Sequence, residues 1–407
     1  MLKTIRSEQL RPGMYLHRFS GSWVDHPFWR RAFLVEQSEV DRIRASRVAE
    51  VVIDTSRGLD LEDAAPCDLA APEPADPYAS DETSQADDAA EPEVAHVSLA
   101  AEMVRARKIL EQGRETVEAM FRQIRLGRSV DTEAAMPLAQ AINDSVLRNP
   151  QALISVARLK TADDYTYLHS MAVAAMMSAL ARQLELPEEQ VLEAAMGGLL
   201  HDMGKASTPM EILNKPGKLS DEEFSVIRLH PEAGHTLLAQ GGVENAVVLD
   251  IALHHHEKVD GSGYPHRLAG DGISLMARMG AVCDVYDAIS SDRPYKRGWC
   301  PADSIKQMAS WTGHFDPTVF KAFVRCLGIY PVGSLVLLES QRLAVVIEQN
   351  ASQLLKPRVR VFHSAKRRSH LLVQDIDLSR DDCQDRIVQL ESPCKWGFRD
   401  LNKLWMN

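Results

Sequence analysis

The spacing of apolar residues changes character twice along the chain. Up to residue 58, "GMYLHRF" and "AEVVIDT" alternate apolar and polar side chains, as half-buried strands do. The amphipathic stretch "EQSEVDRIRAS" lies between them, so the pattern predicts a small α+β domain over 1–58. From "VSLAAEMVRARKILEQGRETVEAMFRQIRLG" onward the spacing is helical, with one face apolar. It predicts helices at 98–127, 133–147, 163–184, 188–203, 221–239, 245–257, 274–290, 301–310 and 316–327. The first of these is a candidate dimer seam. After Pro331 the texture changes again: "GSLVLLES", "LAVVIEQN", "RVRVFHS" and "SHLLVQDID" read as short strands joined by polar turns. The expected fold is therefore mainly α: a helical bundle over 97–328, with a core at 150–328, and a small β-rich extension over 329–407.

Composition adds a divider. The net charge of −11 is local, because residues 60–96 hold 12 acids and no Lys or Arg. Without them, 45 acids face 46 bases. Rich in Ala, Pro, Asp and Glu, this segment cannot bury enough surface to offset its ordering entropy, so 59–96 reads as a disordered acidic linker. The near-neutral remainder lacks the basic face that duplex nucleic acid requires. No run of 18 apolar residues is present, and the N-terminal stretch has no apolar core of the signal-peptide kind. Six cysteines without a CxxC pair fit reduced thiols, and these features together place the chain in the cytoplasm, away from membranes.

Histidine is where the chemistry concentrates. Eight of the 14 lie between residues 169 and 266. Neutral imidazole is the commonest protein ligand for transition metals, and inward-facing His and Asp from several helices can converge on one centre. The candidates are His169, His201 with Asp202, His230, His255 with His256, and Asp284. The His201–Asp202 doublet is informative because one carboxylate has two oxygens and can bridge two cations.

The spacing H-(31)-HD-(27)-H-(24)-HH-(27)-D resembles the HD superfamily of metal-dependent phosphohydrolases. "HHEKVDGSGYP" is similar to the HD-GYP subgroup, whose members hydrolyse cyclic di-GMP. "HDMGK", "DVYDAISSDRPYK" and "GHFDP" extend the likeness over about 150–328, and "LRPGMYLHRFSGSWVDHPFW" resembles a small domain of unknown function often found ahead of HD-GYP domains. The resemblance implies an HD-type bundle and two divalent cations, iron or manganese. His169, His201, Asp202 and Asp284 would hold one cation. Asp202, His230, His255 and His256 would hold the other, with Asp202 bridging. It implies a phosphodiesterase that opens cyclic di-GMP to pGpG, with further cleavage to GMP left open, through a water activated between the cations. Lys205 would serve the attacked phosphate and the leaving group, while Arg293 and Lys296 would hold phosphate. Two other readings stay open: a non-catalytic cyclic di-GMP sensor with signalling-protein partners, and a hydrolase of another nucleotide. All seven ligand positions are filled, which disfavours the sensor.

Several neighbours carry lesser expectations. Consecutive helical residues diverge by roughly 100°, so His254 should fall outside the ligand set. Gly261 and Gly263 permit an unusual loop in which Tyr264 could present its ring or hydroxyl to the substrate. Glu257 could orient an imidazole or simply be solvated. His235 and His266 should be exposed, and "GHFDP" should brace a helix start. Some HD-GYP proteins support a third metal with a glutamate where this chain has Tyr165, which favours two.

Overall fold

The computed structural model describes residues 2–19, 33–44, 50–59, 97–128, 133–159, 165–215, 217–291, 298–350, 352–398 and 400–406. Contacts divide the chain into two units, Met1–Val94 and Ala95–Asn407. The expected linker lies outside the described residues apart from Leu59.

In the first unit, strands β1 (Leu2–Arg6), β2 (Tyr15–Phe19), β3 (Phe33–Leu34) and β4 (Glu50–Asp54) form an antiparallel sheet in the order β1-β4-β2-β3. Helix α1 (Gln37–Arg44) supplies Val40 and Ile43 to a core shared with Ile5, Leu10, Met14, Leu16, Val51 and Ile53. Val51 and Ile53 of β4 face this core, and Val52 between them is buried as well, so this strand is covered on both faces.

The second unit opens with α2 (Leu99–Arg125), whose N-terminus is capped by Ser98, followed by α3 (Met136–Arg148) and α4 (Pro150–Ala157). The expected single stretch at 133–147 did not anticipate α4, which restarts the helix at an Asn149 cap and Pro150. The apolar stripe of α2 packs on α3, α4 and α5 (Tyr165–Gln183), so the proposed dimer seam is used within the chain. At this junction Glu102 is fully buried, and its carboxylate accepts from Ser145 Oγ at 2.8 Å, Arg148 Nε and Nη2 at 2.9 Å, and Arg105 Nη1 at 3.0 Å. Burial alone would raise the Glu102 pKa, but these donors outweigh it and hold the carboxyl below its usual range. A depressed carboxyl stabilises above its ordinary titration range, and that contribution fades as pH falls through the folded value. Glu102→Ala should cost about 1–3 kcal/mol in chemical denaturation, because buried Ser145 and half-buried Arg148 lose their charged partner.

Helix α5 is buried almost all round and packs against α6 (Glu188–Leu200). A Cβ at Gly198 would stand 2.9 Å from the Ala174 backbone, so the small residue permits this approach. Beyond α6 come α7 (Met210–Leu213), α8 (Asp221–Ile227), α9 (His230–Gln240), α10 (Ala246–His254), α11 (Leu275–Ser290), α12 (Pro301–Ala309) and α13 (Pro317–Leu327). The helix expected over 221–239 is two helices: α8 ends at Ile227 with Arg228 as its C-cap, and α9 begins with Pro231 in its first turn. Pro has no N–H to donate to a continuing helix, so the break is set there. Asp316 caps α13 by accepting from the N–H groups of Thr318 and Val319, as "GHFDP" suggested.

Strands β5 (Leu335–Leu338), β6 (Arg342–Glu348), β7 (Arg358–Ser364), β8 (Ser369–Asp377) and β9 (Ile387–Leu390) form an antiparallel sheet in the order β8-β7-β6-β5-β9. The sequence indicated the first four. It missed β9 and the short α14 (Pro393–Trp396). The sheet has its own core of Val336, Leu338, Ala344, Val346, Val359 and Val361. It belongs to the same compact unit as the bundle, and Arg158 joins the two by donating to the Val332 carbonyl at 2.9 Å. Among the described residues, no helix is long and apolar enough to cross a membrane.

Candidate metal centre

Five helices and one turn bring the candidate ligands together. Helix α6 ends at Leu200, which leaves His201 as its C-cap and Asp202 at the start of a tight turn over Met203–Ser207. That turn presses against the start of α9. A Cβ at Gly204 would sit 1.9 Å from the His230 carbonyl oxygen, so only glycine admits this contact. Helix α10 ends at His254 with His255 as its cap, α5 carries His169, and α11 carries Asp284. His169, His201, Asp202, His230, His255 and Asp284 are all buried, and His256 is half-buried.

Their ligand atoms form two groups that share Asp202. His169, His201, Asp202 and Asp284 make one, Asp202, His230, His255 and His256 make the other, and within each group the atoms lie within 4.8 Å of one another. The two oxygens of Asp202 face different sets. Oδ2 is 3.2 Å from His169 Nε2 and 3.4 Å from His201 Nε2, while Oδ1 is 3.3 Å from His230 Nε2 and 3.7 Å from His255 Nε2.

Hydrogen bonding outside the groups sets which imidazole nitrogens are free to bind. His201 Nδ1 lies 2.7 Å from the Gly198 carbonyl, His230 Nδ1 lies 2.7 Å from that of Ile227, and His255 Nδ1 lies 3.1 Å from those of Ile251 and Ala252. A carbonyl only accepts, so each Nδ1 carries the proton and each Nε2 presents a lone pair inward. His169 Nδ1 is held instead by the Asp287 carboxylate at 2.7 Å. His230 Nε2 and His255 Nε2 then face each other at 3.3 Å, lone pair to lone pair, an arrangement that a cation between them would relieve. His201 Nε2 and Asp202 Oδ1 are buried and make no hydrogen bond with a described residue. The residues present therefore fit divalent metal ions, and outer carbonyls and carboxylates of this kind orient metal-binding histidines.

The electrostatics agree. Burial, reinforced by the neighbouring His256, keeps His255 neutral by pushing its pKa well below the usual value. Burial also pushes His256 down to about 3, against the opposing pull of Asp284. Burial would raise Asp202 and Asp284, but Lys205 and the surrounding histidines hold both carboxyls well below their usual range. His169 behaves differently: burial disfavours its charge, yet Asp202, Asp284 and Asp287 raise it to about 10. The same negative field that favours a proton there favours a metal cation in its place.

Around the groups, several expectations are refined. Lys205 Nζ contacts Asp202 Oδ2 at 2.5 Å and is partly exposed. His254 is outside both groups, paired with Asp250 at 2.6 Å and His266 at 3.0 Å. His266 is exposed, whereas His235 is half-buried. Glu257 neither orients an imidazole nor faces solvent. It is buried and accepts from the N–H groups of His266 at 2.7 Å and Leu268 at 3.1 Å, which anchors the glycine loop. Gly263 makes that loop possible, since a Cβ there would meet Lys258 N at 2.4 Å. Tyr264 stacks on His256 with ring centroids 4.7 Å apart, and the Arg228 guanidinium lies 4.7 Å from its centroid. Asp287 and Arg228 were not singled out from the sequence. Asp287 had a signal, since it falls one helical turn after Asp284 on the same face. Arg293, Lys296 and the Tyr165 side chain lie outside the described residues.

Comparisons with known proteins point to one family. The HD domain family model covers residues 140–319, and the model described as Domain of unknown function (DUF3391) covers 2–135. A cyclic di-GMP phosphodiesterase of Pseudomonas aeruginosa is 51% identical over 407 residues, which is all of this chain and 96% of that protein. A cyclic di-GMP phosphodiesterase response regulator of Xanthomonas campestris pv. campestris is 38% identical over 193 residues, 46% of this chain and 50% of its own length. A 3'3'-cGAMP-specific phosphodiesterase of Vibrio cholerae is 38% identical over 164 residues, 40% of this chain and 38% of its own. With its histidine and aspartate groups, its GYP loop and a relative matched end to end, this chain belongs to the HD-GYP family of HD-domain cyclic di-GMP phosphodiesterases.

Proposed function

We propose that the chain hydrolyses cyclic di-GMP to pGpG at a dinuclear centre. His169, His201, Asp202 and Asp284 would hold one ion, and Asp202, His230, His255 and His256 the other. The family resemblance favours iron or manganese, while the mixed imidazole and carboxylate set itself accepts several divalent ions. The observation that carries the reading is the 3.3 Å approach of His230 Nε2 and His255 Nε2, with both Nδ1 protons committed elsewhere. When bound, such ions lower the pKa of a water and neutralise phosphoryl charge.

The remaining work falls to the protein. The backbone carbonyls and Asp287 hold the imidazoles in the binding tautomer, so no reorganisation is needed during reaction. In hydrolysis the water oxygen bonds to phosphorus, the bond to a ribose oxygen breaks, and that oxygen takes up a proton. Lys205, beside Asp202 and partly open to solvent, is placed to stabilise charge on the attacked phosphate or to deliver that proton. Arg293 and Lys296 are proposed to hold the second phosphate, which the metal pair cannot reach directly.

Relatives specific for 3'3'-cGAMP share only about two-fifths of the chain, whereas the end-to-end relative is named for cyclic di-GMP. Purified, metal-loaded protein should therefore be given cyclic di-GMP, 3'3'-cGAMP and GTP in parallel, with products resolved by chromatography. Linear pGpG from cyclic di-GMP is expected. Untouched cyclic di-GMP, or faster cleavage of 3'3'-cGAMP, would overturn the assignment.

A further inference from the structure

Helix α8 has no buried residue, yet it carries an aromatic side chain in the open: Phe224 is 47% exposed. Val226 and Ile227 turn partly inward, whereas the Phe224 ring stays open to solvent. One turn further on, Arg228 places its guanidinium 5.9 Å from the Phe224 centroid and 4.7 Å from the Tyr264 centroid. Tyr264 in turn stacks on His256 at 4.7 Å, and His256 belongs to the second ligand group. Arg228 makes no ion pair with a described residue, and its guanidinium is directed to the two rings. Phe224, Arg228, Tyr264 and His256 thus form a continuous run of flat groups leading from solvent to the metal centre.

We propose that Phe224 and Arg228 form a purine-stacking platform that receives one guanine of the cyclic dinucleotide and so positions a phosphodiester over the metals. The inference rests on the proposed cyclic dinucleotide activity and adds the base-recognition residues to it. Phenyl rings and guanidinium planes are the two protein surfaces best suited to the face of a base. Tyr264 is a weaker candidate for this contact, because its ring is already engaged by both His256 and Arg228. The helix itself is well anchored for the task without core burial. Ser220 and Glu223 form a capping box, and Lys215 Nζ reaches the Glu223 carboxylate at 2.6 Å. An open, capped helix presents its side chain in a defined place while remaining accessible to ligand.

The test uses the full-length, metal-loaded protein. Wild-type hydrolysis of cyclic di-GMP is measured first; its absence would sink the proposed function and leave base recognition out of the question. Given that activity, Phe224→Leu should raise KM roughly tenfold, the usual effect of removing one base–aromatic stack. Its kcat should stay within about twofold and its metal content unchanged. Leucine keeps the apolar bulk and the helix, so a merely structural phenyl would be replaced without loss. Phe224→Trp should hold KM near the wild-type value. Arg228→Lys keeps the charge but loses the plane, and it should also raise KM. An unchanged KM in Phe224→Leu would overturn the platform. So would full retention of affinity in Arg228→Lys, since that would make Arg228 a point charge for phosphate.

Discussion

Asp202→Ala should abolish hydrolysis of cyclic di-GMP, lowering kcat/KM by at least roughly a thousandfold, and should empty both halves of the centre. The reason is geometric. Asp202 Oδ2 faces His169 and His201, while Oδ1 faces His230 and His255, all between 3.2 and 3.7 Å. No other carboxylate among the described residues belongs to both ligand groups. Removing it leaves each set of imidazoles with one fewer donor and no shared anion to offset the repulsion between two cations. Asp202→Asn is the companion variant. It preserves volume and can still accept from Lys205, but it lacks the bridging charge. Elemental analysis beside steady-state kinetics reads both effects, and either variant retaining two ions per chain with normal turnover would contradict the bridging role. Circular dichroism should show an intact fold, because the helices that converge here are held by cores outside the centre.

The second large effect belongs to Lys205. Its alanine variant should keep both ions and lose roughly a hundred- to a thousandfold in kcat, with little change in KM. That magnitude is typical of losing one group aimed at charge that develops in the transition state. Lys205 sits on the turn directly after Asp202, and its ammonium contacts a metal-facing oxygen while remaining partly exposed. It can therefore reach a phosphate that sits over the centre. Loss of metal instead of kcat would assign Lys205 a different task, that of holding the Asp202 carboxylate in place.

The way these residues were legible shows what a sequence carries. The seven histidines and aspartates announced themselves by chemistry and spacing, and their ligand atoms meet in two groups. Helical periodicity located most of the bundle for the same reason, since burial of one stripe is written in residue identity. What stayed hidden depends on backbone partners. Glu257 looked like an imidazole-orienting or solvated group, but it accepts from loop N–H groups whose position no side-chain pattern records. The carbonyls of Gly198, Ile227, Ile251 and Ala252, which choose the imidazole tautomers, leave no trace in the sequence at all. The division of 221–239 into α8 and α9 was visible only as Pro231, inside an otherwise continuous amphipathic pattern. That break matters, because it sets Phe224 and Arg228 on the open helix next to Tyr264. β9 escaped because a four-residue edge strand has too few positions for alternation to register.

The most direct test of the dinuclear account is a stoichiometric titration. Metal-free full-length protein is loaded with increasing iron(II) or manganese(II), bound metal is counted per chain, and conversion of cyclic di-GMP to pGpG is measured on the same samples. Activity should rise with occupancy and level off at two ions per chain. Full activity at one ion per chain, or in the metal-free protein, would contradict it.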